Sequence, residues 1–367
     1  MHIQRGAWAE INLDAVAHNV QMAKANLKPT TKLCAVVKAD AYGHGAVRVA
    51  QEAARNGADF FAVALLQEGV KLREAGIETP ILVLGSMLPE VAEICVRYDI
   101  SHAVFDEERL YALNAAALKL HTKAKIHIKI DTGMHRLGFA PSEIPQLVQR
   151  LQKQSAVIPR SVFSHLVGSD AERFDAFTRH QIETFEAAST TLQEGFKHKI
   201  IRHICNTAGI ERYPGAQFDM VRLGIGLYGV DPFTNKMLHN VTTLKTTILQ
   251  IHEVPADETV GYSRKGVLTR DSRIAAIPIG YADGLNRHLG NGHAYCLVNG
   301  QKAPYVGNIC MDVCMIDVTD IDCKEGDKAI IFGDDLPVTV LSDILETIPY
   351  EILTSVSNRV KRVYYQD

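Results

Sequence analysis

A lysine directly behind a buried apolar run is a poor place to keep a charge, and Lys38 follows Leu33–Val37 in this way. Desolvation there lowers an ammonium pKa and makes the amine a Schiff-base nucleophile or a general base. The alternative is a snorkelling lysine paired with Asp40, within Lys38-Ala39-Asp40-Ala41-Tyr42-Gly43-His44-Gly45. Other polar groups stand behind other apolar runs: Lys129-Ile130-Asp131-Thr132-Gly133-Met134-His135-Arg136, His165, Asn206-Thr207 and Arg222-Leu223-Gly224-Ile225. A core histidine or a surface arginine explains each alone, but not their shared placement.

The runs and the stretches between them define what must position these residues. Leu33–Val37, Phe60–Leu65, Ile81–Leu84, Ala103–Phe105, Ile126–Ile130, Ser161–Ser164, Ile201–Ile204 and Asp219–Leu223 read as eight buried parallel strands. Ala46–Asn56, Gln67–Ala75, Pro89–Tyr98, Glu107–Lys119, Ser142–Gln154 and Ala171–Gln193 carry apolar residues at helical spacing. Eight strand–helix units predict an α/β fold, a (β/α)8 TIM-type barrel, with an open doubly wound sheet as the lesser option. In a barrel, the residues behind the strands meet at one mouth.

After about residue 240 the pattern shortens to alternating segments: Thr242–His252, Arg273–Pro278, Ala294–Val298, Val313–Val318 and Lys328–Phe332. These predict a C-terminal mainly β domain, closed by a helix at Ser342–Thr354. The expected division is a barrel over 12–240 and a β domain over 241–367, the latter joined by the N-terminal segment 1–11. No low-complexity linker separates the two, so tight packing of the domains is expected.

Gly224-Ile225-Gly226-Leu227-Tyr228-Gly229 matches G-x-G-x-x-G, but Pro232 follows, and neither a helix-plus-strand unit nor an acidic residue about twenty positions on completes a dinucleotide fingerprint. Glycine backbone after strand eight, near the Thr207 hydroxyl after strand seven, is instead where barrels commonly hold a phosphate. Lysine, phosphate pocket and barrel together point to pyridoxal 5'-phosphate.

Of 367 residues, 39 are Lys or Arg and 42 Asp or Glu, for a net charge of −3, with 47% hydrophobic and 22% charged residues. These proportions fit an ordinary globular protein and give no electrostatic footprint for nucleic acid or an anionic membrane. The start lacks the basic-then-apolar pattern of a signal peptide, and no apolar stretch is long enough to span a bilayer, so a cytoplasmic location is expected. The seven cysteines are odd in number and scattered, without a C-x-x-C pair, and are read as reduced and mostly buried. Cys310 and Cys314, four apart in a β-rich stretch, are expected on one face, where two thiols make a poor metal site. No metal is expected.

Five ordered motifs carry a resemblance. They are Ala35-Val36-Val37-Lys38-Ala39-Asp40-Ala41-Tyr42-Gly43-His44-Gly45, Asp131-Thr132-Gly133-Met134-His135-Arg136-Leu137-Gly138, Val221-Arg222-Leu223-Gly224, Ile277-Pro278-Ile279-Gly280-Tyr281-Ala282-Asp283-Gly284 and Val306-Gly307-Asn308-Ile309-Cys310-Met311-Asp312. Through them the chain resembles the bacterial alanine racemases over essentially its whole length. The resemblance implies a pyridoxal phosphate barrel followed by a β domain, in a head-to-tail homodimer whose active sites use both chains. It implies interconversion of L- and D-alanine by two bases, supplying D-alanine for peptidoglycan.

Carried over by motif, Lys38 would bind the cofactor covalently and act as the base on the D-enantiomer side. Tyr262, in Val260-Gly261-Tyr262, matches the opposite base, contributed by the partner chain. Removal on one face and delivery on the other suit two groups of different chemistry. Taken alone, Tyr262 reads more simply as a packing residue of the β domain. A phenol needs a cationic or hydrogen-bonding neighbour to ionise near neutrality, and the family pattern links it to His165 and Arg222. Arg222 would also face the pyridine nitrogen and, keeping its own proton, leave that nitrogen uncharged, which limits transamination. The resemblance further assigns Tyr42, His165, Asn206, Thr207, Gly224 and Ile225 to the cofactor, and Arg136, Met311 and Tyr281 to the substrate. Lys129 matches a position often carbamylated, where an anion would orient Arg136.

Two departures bear on substrate choice. The family often has tyrosine before the Arg-Val of its C-terminal motif, where this chain has Asn358-Arg359-Val360, and arginine where Asn308 stands. Both changes bring smaller or uncharged groups, so a broader racemase that also acts on serine is the alternative. A related decarboxylase would usually place a carboxylate opposite the pyridine nitrogen, which Arg222 argues against. A non-catalytic pyridoxal phosphate carrier resembles a lone barrel and would need no Tyr262 domain.

Overall fold

The computed structural model describes residues 6–231, 233 and 237–366; Pro232 and the first five residues of the 1–11 segment lie outside the described residues. Two compact units divide the chain, one comprising Val16–Ala41 and Ala46–His239, the other Met1–Ala15, Tyr42–Gly45 and Asn240–Asp367.

The first strand, β1 (Ala7–Asn12), belongs to the second unit, and the barrel begins at β2 (Lys32–Val36). It continues through β3 (Phe60–Val63), β4 (Ile81–Val83), β5 (Ser101–Val104), β6 (Ala124–Lys129), β7 (Val157–Phe163), β8 (Ile201–His203) and β9 (Met220–Leu223). All neighbours pair in parallel in the order β8-β7-β6-β5-β4-β3-β2-β9. The β8–β9 seam carries backbone bonds from Asp219 N to Arg202 O (3.1 Å) and from Arg222 N to Cys205 O (3.0 Å). Every residue of β3, β4, β5 and β9 is buried, because helices cover one face and the barrel interior the other. Branched aliphatics usually dominate such an interior, yet this one also contains His127, Ser161, His203 and Arg222, all buried.

The second unit is built on a nine-stranded sheet. Its strands after β1 are β10 (Thr242–Thr247), β11 (Gln250–Val254), the short pair β12 (Thr259–Val260) and β13 (Gly266–Val267), β14 (Ser272–Ile277), β15 (Tyr295–Val298), β16 (Gln301–Val306), β17 (Cys314–Asp317), β18 (Lys328–Phe332) and β19 (Lys361–Tyr365). The order is β11-β14-β17-β16-β15-β18-β10-β1-β19, with β12 and β13 forming a separate ribbon. Residues alternate between buried and half-buried along β1 and β10, the pattern of a sheet packed on one face.

Several expectations are corrected. Thr242–His252 is two strands, since β10 pairs with β1 and β18 whereas β11 pairs with β14. The helix expected over Ser342–Thr354 is two, Val338–Ile344 and Pro349–Ser355, because Glu346 takes φ 51° and Ile348 is extended ahead of Pro349. Cys310 precedes β17 in a turn, so alternation does not place it with buried Cys314 on one face. Tyr42–Gly45, expected within the barrel, groups with the second unit: Arg362 Nε donates to Gly43 O at 2.8 Å and the rings of Tyr42 and Tyr350 lie 5.5 Å apart. Strands β1, β16 and β19 and the helix Leu13–Ala25 had no counterpart in the sequence reading. All seven cysteines are free. No helix among the described residues is long and apolar enough to cross a membrane.

The buried histidines make stability depend on pH. Desolvation lowers His102 to about 4, and burial with repulsion from Arg160 lowers His127 to about 3. The unfolded chain protonates them near 6.5, so below that pH it binds more protons than the folded chain and stability falls with pH. Each should cost about 2 kcal/mol between pH 7 and pH 5. Urea unfolding at the two pH values tests this, and equal stability would mean that these rings are hydrated.

Candidate active site

Lys38 stands two residues beyond the end of β2, behind Val37, at the start of an uncommon turn. Ala39, Asp40, Ala41 and Tyr42 all have φ between 51° and 55°, a left-handed turn of non-glycine residues that costs roughly 1–2 kcal/mol per residue. Glu68 helps to hold it: one carboxylate oxygen accepts from Ala39 N (2.6 Å), the other from Ala64 N (2.8 Å) and Leu65 N (3.0 Å). Asp40 pairs with Lys71 (3.1 Å) and accepts from Ala46 N (3.0 Å), so the alternative of an Asp40–Lys38 pair gives way to an Asp40–Lys71 pair. Burial lowers the Lys38 pKa and repulsion from Arg136 adds to it, against a smaller opposing pull from Glu68.

On β6, alternation puts His127 and Lys129 on the same face. Burial, then the charges of Arg222 and Arg136, hold Lys129 well below an ordinary lysine, and its ammonium nitrogen lies 4.8 Å from the centre of the Phe163 ring. Arg222 is 3% exposed. Its Nη2 donates to Ser164 O (2.7 Å) and Ile204 O (2.9 Å) and approaches His165 Nδ1 at 3.2 Å, and its Nη1 donates to His203 Nδ1 at 2.7 Å. Its Nε–H has no acceptor among the described residues, and burial lowers its pKa to about 10. Burial, then repulsion from Arg222, drives both His165 and His203 well below the ordinary histidine value.

Among the described residues none of Lys38, Lys129, Arg136 and Arg222 forms an ion pair. The nearby carboxylates are committed elsewhere, Glu68 as above and Asp131 to the backbone N–H groups of Gly133, Met134 and His135. The barrel mouth thus concentrates positive charge without a protein anion to meet it, which favours an anionic ligand. Next to it, Thr207 Oγ1 accepts from Gly224 N (3.0 Å) and Gly226 N (3.4 Å), and Ile225 opens a single 3₁₀ turn ended by Gly229 at φ 84°. Among the described residues no helix continues from this turn as a dinucleotide fold requires. Asn206 caps the next helix, its Oδ1 accepting from Gly209 N (3.0 Å) and Ser169 Oγ (2.8 Å), so its side chain is occupied in fixing Thr207.

The structure therefore gathers Lys38, Lys129, Arg136, His165, Thr207, Arg222, Gly224 and Ile225 in the barrel unit. Tyr262, Tyr281, Met311 and Tyr42 belong to the other unit. There Tyr42 is buried, whereas Tyr262, Tyr281 and Met311 are exposed, Tyr262 by 70%, which removes the packing explanation for that ring. Asn308 Nδ2 donates to Tyr262 O at 3.0 Å, and Tyr281 N donates to Cys310 O at 3.1 Å. Sequence reasoning missed Glu68, Phe163 and His203. The alternation His127-x-Lys129 on one strand was the available signal that polar groups continue into the barrel.

Fold and site define a two-unit protein, a parallel (β/α)8 barrel with a lysine- and arginine-lined mouth followed by a mainly β domain. Family models for the alanine racemase N-terminal domain and C-terminal domain match residues 11–232 and 241–364. The chain belongs to the alanine racemase family, whose members are isomerases. It is 41% identical to the alanine racemase of Clostridium novyi, covering 99% of this chain and 96% of that one. The alanine racemase structure of Clostridium difficile 630 superposes with a TM-score of 0.94 at 36% identity, covering 100% of this chain and 97% of that one. The Bartonella henselae alanine racemase, whose structure has covalently bound pyridoxal phosphate, superposes with a TM-score of 0.89 at 30% identity, covering 99% and 100%.

Proposed function

We propose that this protein is an alanine racemase that interconverts L- and D-alanine with pyridoxal 5'-phosphate held in the 12–240 barrel, and so supplies D-alanine for peptidoglycan. The observation that carries this reading is the set of two lysines and two arginines at the barrel mouth with no ion-pair partner among the described residues. An anionic cofactor and a carboxylate substrate answer that charge, and membership of the family supports the choice. The residues present fit the cofactor: a lysine of lowered pKa, a hydroxyl set among glycine N–H groups, and a guanidinium N–H left open. The cofactor, when bound, makes the substrate α-hydrogen acidic by delocalising the electrons left behind.

In this reading Lys38 holds the cofactor and moves the proton on the D side, and Tyr262 moves it on the L side. Thr207, Gly224, Ile225 and Tyr42 hold the phosphate, with Asn206 fixing Thr207. Arg222 turns its Nε–H to the ring nitrogen and keeps its own proton, and His165 stays neutral beside it. Arg136 receives the substrate carboxylate with Met311 and Tyr281. Lys129, whose pKa burial lowers, can in its neutral form add carbon dioxide with loss of a proton, and the resulting carbamate would orient Arg136. Two copies of the chain share each site, with the 241–367 domain and the 1–11 segment of one serving the barrel of the other.

Chirally resolved product analysis against a panel of amino acids tests the activity; retention of L-alanine by cofactor-loaded protein would refute it. A broader racemase acting also on serine is favoured by Asn358, which stands in an exposed turn ahead of β19. Its amide is smaller than tyrosine and can meet a substrate hydroxyl. We expect Asn358→Tyr to lower the serine-to-alanine ratio of kcat/KM by about tenfold, within the 1–3 kcal/mol that one such contact supplies. An unchanged ratio at equal cofactor occupancy would show that Asn358 does not set specificity.

A further inference from the structure

Four side chains on four successive barrel strands form one hydrogen-bonded chain. Arg222 on β9 donates Nη1–H to His203 Nδ1 at the end of β8 (2.7 Å), His203 Nε2 lies 2.9 Å from Ser161 Oγ on β7, and that hydroxyl lies 2.5 Å from His127 Nδ1 on β6. Arginine can only donate, so His203 Nδ1 accepts and the neutral ring carries its proton on Nε2. Ser161 then accepts from His203 and donates its own O–H to His127 Nδ1, which puts the His127 proton on Nε2 as well. Every proton on the chain is placed by the one group that cannot accept.

The arrangement is costly. His127 Nε2 is buried with no acceptor among the described residues, and an unpaired buried N–H is worth about 1–3 kcal/mol against folding. The ring packs edge-on to both Phe60 and His203, at 6.2 Å in each case, so an apolar ring of similar size suits the same space. Packing alone gives no reason for the imidazole.

We propose that Ser161 and His127 are positioning residues for Arg222, holding His203 in its Nε2–H form so that the guanidinium keeps its Nε–H turned to the site. The proposal rests on the reading of the barrel mouth as a pyridoxal phosphate site with Arg222 at the ring nitrogen. The Ser164 and Ile204 carbonyls fix the Nη2 corner of the guanidinium, and His203 fixes its rotation about that corner. Without the Ser161 hydroxyl the Nε2–H form loses its acceptor, and the competing Nδ1–H form sets a donor against a donor. Arg222 then swings from its place, and water can protonate the nitrogen that it shielded.

The test begins with nitrogen-15 histidine spectra of cofactor-loaded protein without substrate, where His127 and His203 should both be Nε2–H. In Ser161→Ala, His203 should become a mixture of forms, the visible absorbance of bound cofactor should shift, and pyruvate formed per racemisation should rise about tenfold. Ser161→Thr, which retains the hydroxyl, should restore all three. The double variant Ser161→Ala/His127→Phe removes the orphaned ring nitrogens of His127, so it should regain stability while the defects remain; a purely structural role would restore both together. An Nδ1–H ring in active wild type, or Ser161→Ala with unchanged tautomers and absorbance, would overturn the proposal by itself. Expected tautomers in a loaded wild type that does not racemise alanine would refute the functional reading and the positioning role with it.

Discussion

Lys38→Ala should give a folded protein that releases pyridoxal phosphate on dialysis, retains none after borohydride treatment, and racemises alanine at least about a thousandfold more slowly than wild type. The substitution removes an amine that is both the proposed attachment point and one of two proposed bases. It should spare the fold, because the left-handed turn is held by other groups, among them the Glu68 carboxylate on Ala39 N and Asp40 on Ala46 N. In wild type, burial and Arg136 lower the Lys38 pKa, so the neutral amine is present nearer to neutral pH than in an ordinary lysine. Borohydride should therefore fix the cofactor on Lys38, as read by peptide mapping. Label on another lysine would end the assignment.

Tyr262→Phe should lower racemisation on the order of 10²–10⁴-fold with little effect on stability, since the ring is 70% exposed and the phenol supports no core packing. The loss should be one-sided. In deuterated water D-alanine should still exchange its α-hydrogen through Lys38, while L-alanine should not. Mixed with Lys38→Ala, the variant should recover about a quarter of wild-type activity, because half of randomly exchanged dimers are mixed and each has one intact site of two. No recovery in verified mixed dimers would place both bases in one chain, and equal loss of exchange for both enantiomers would remove Tyr262 as the L-side base.

The sequence by itself determined the barrel strands and which polar residues stand behind them. Parallel strands covered on both faces leave near-continuous apolar runs, and these survive as a local signal whatever the tertiary arrangement. Lys38, His165 and Gly224 were legible because each follows such a run directly, Thr207 because it stands just behind one, and Lys129 and Arg222 because each places a charge near the end of one. The elements that escaped lack that signal: Pro304 interrupts β16, and β1 and β19 find their partners only across the length of the chain, in each other and, for β1, in β10. The break before Pro349 was legible in the residue itself, but helical spacing on both sides concealed it.

The tertiary structure alone decided what these residues touch. Four consecutive left-handed residues after Lys38 follow from no local propensity, since each is disfavoured by its own side chain, and the bonds to Glu68 and Asp40 help to hold them. The proton order from Arg222 through His203 and Ser161 to His127 exists only because the sheet brings β6, β7, β8 and β9 side by side. Periodicity records which face of a strand is buried, whereas hydrogen bonding depends on distances of about 3 Å between inward side chains from segments far apart in sequence.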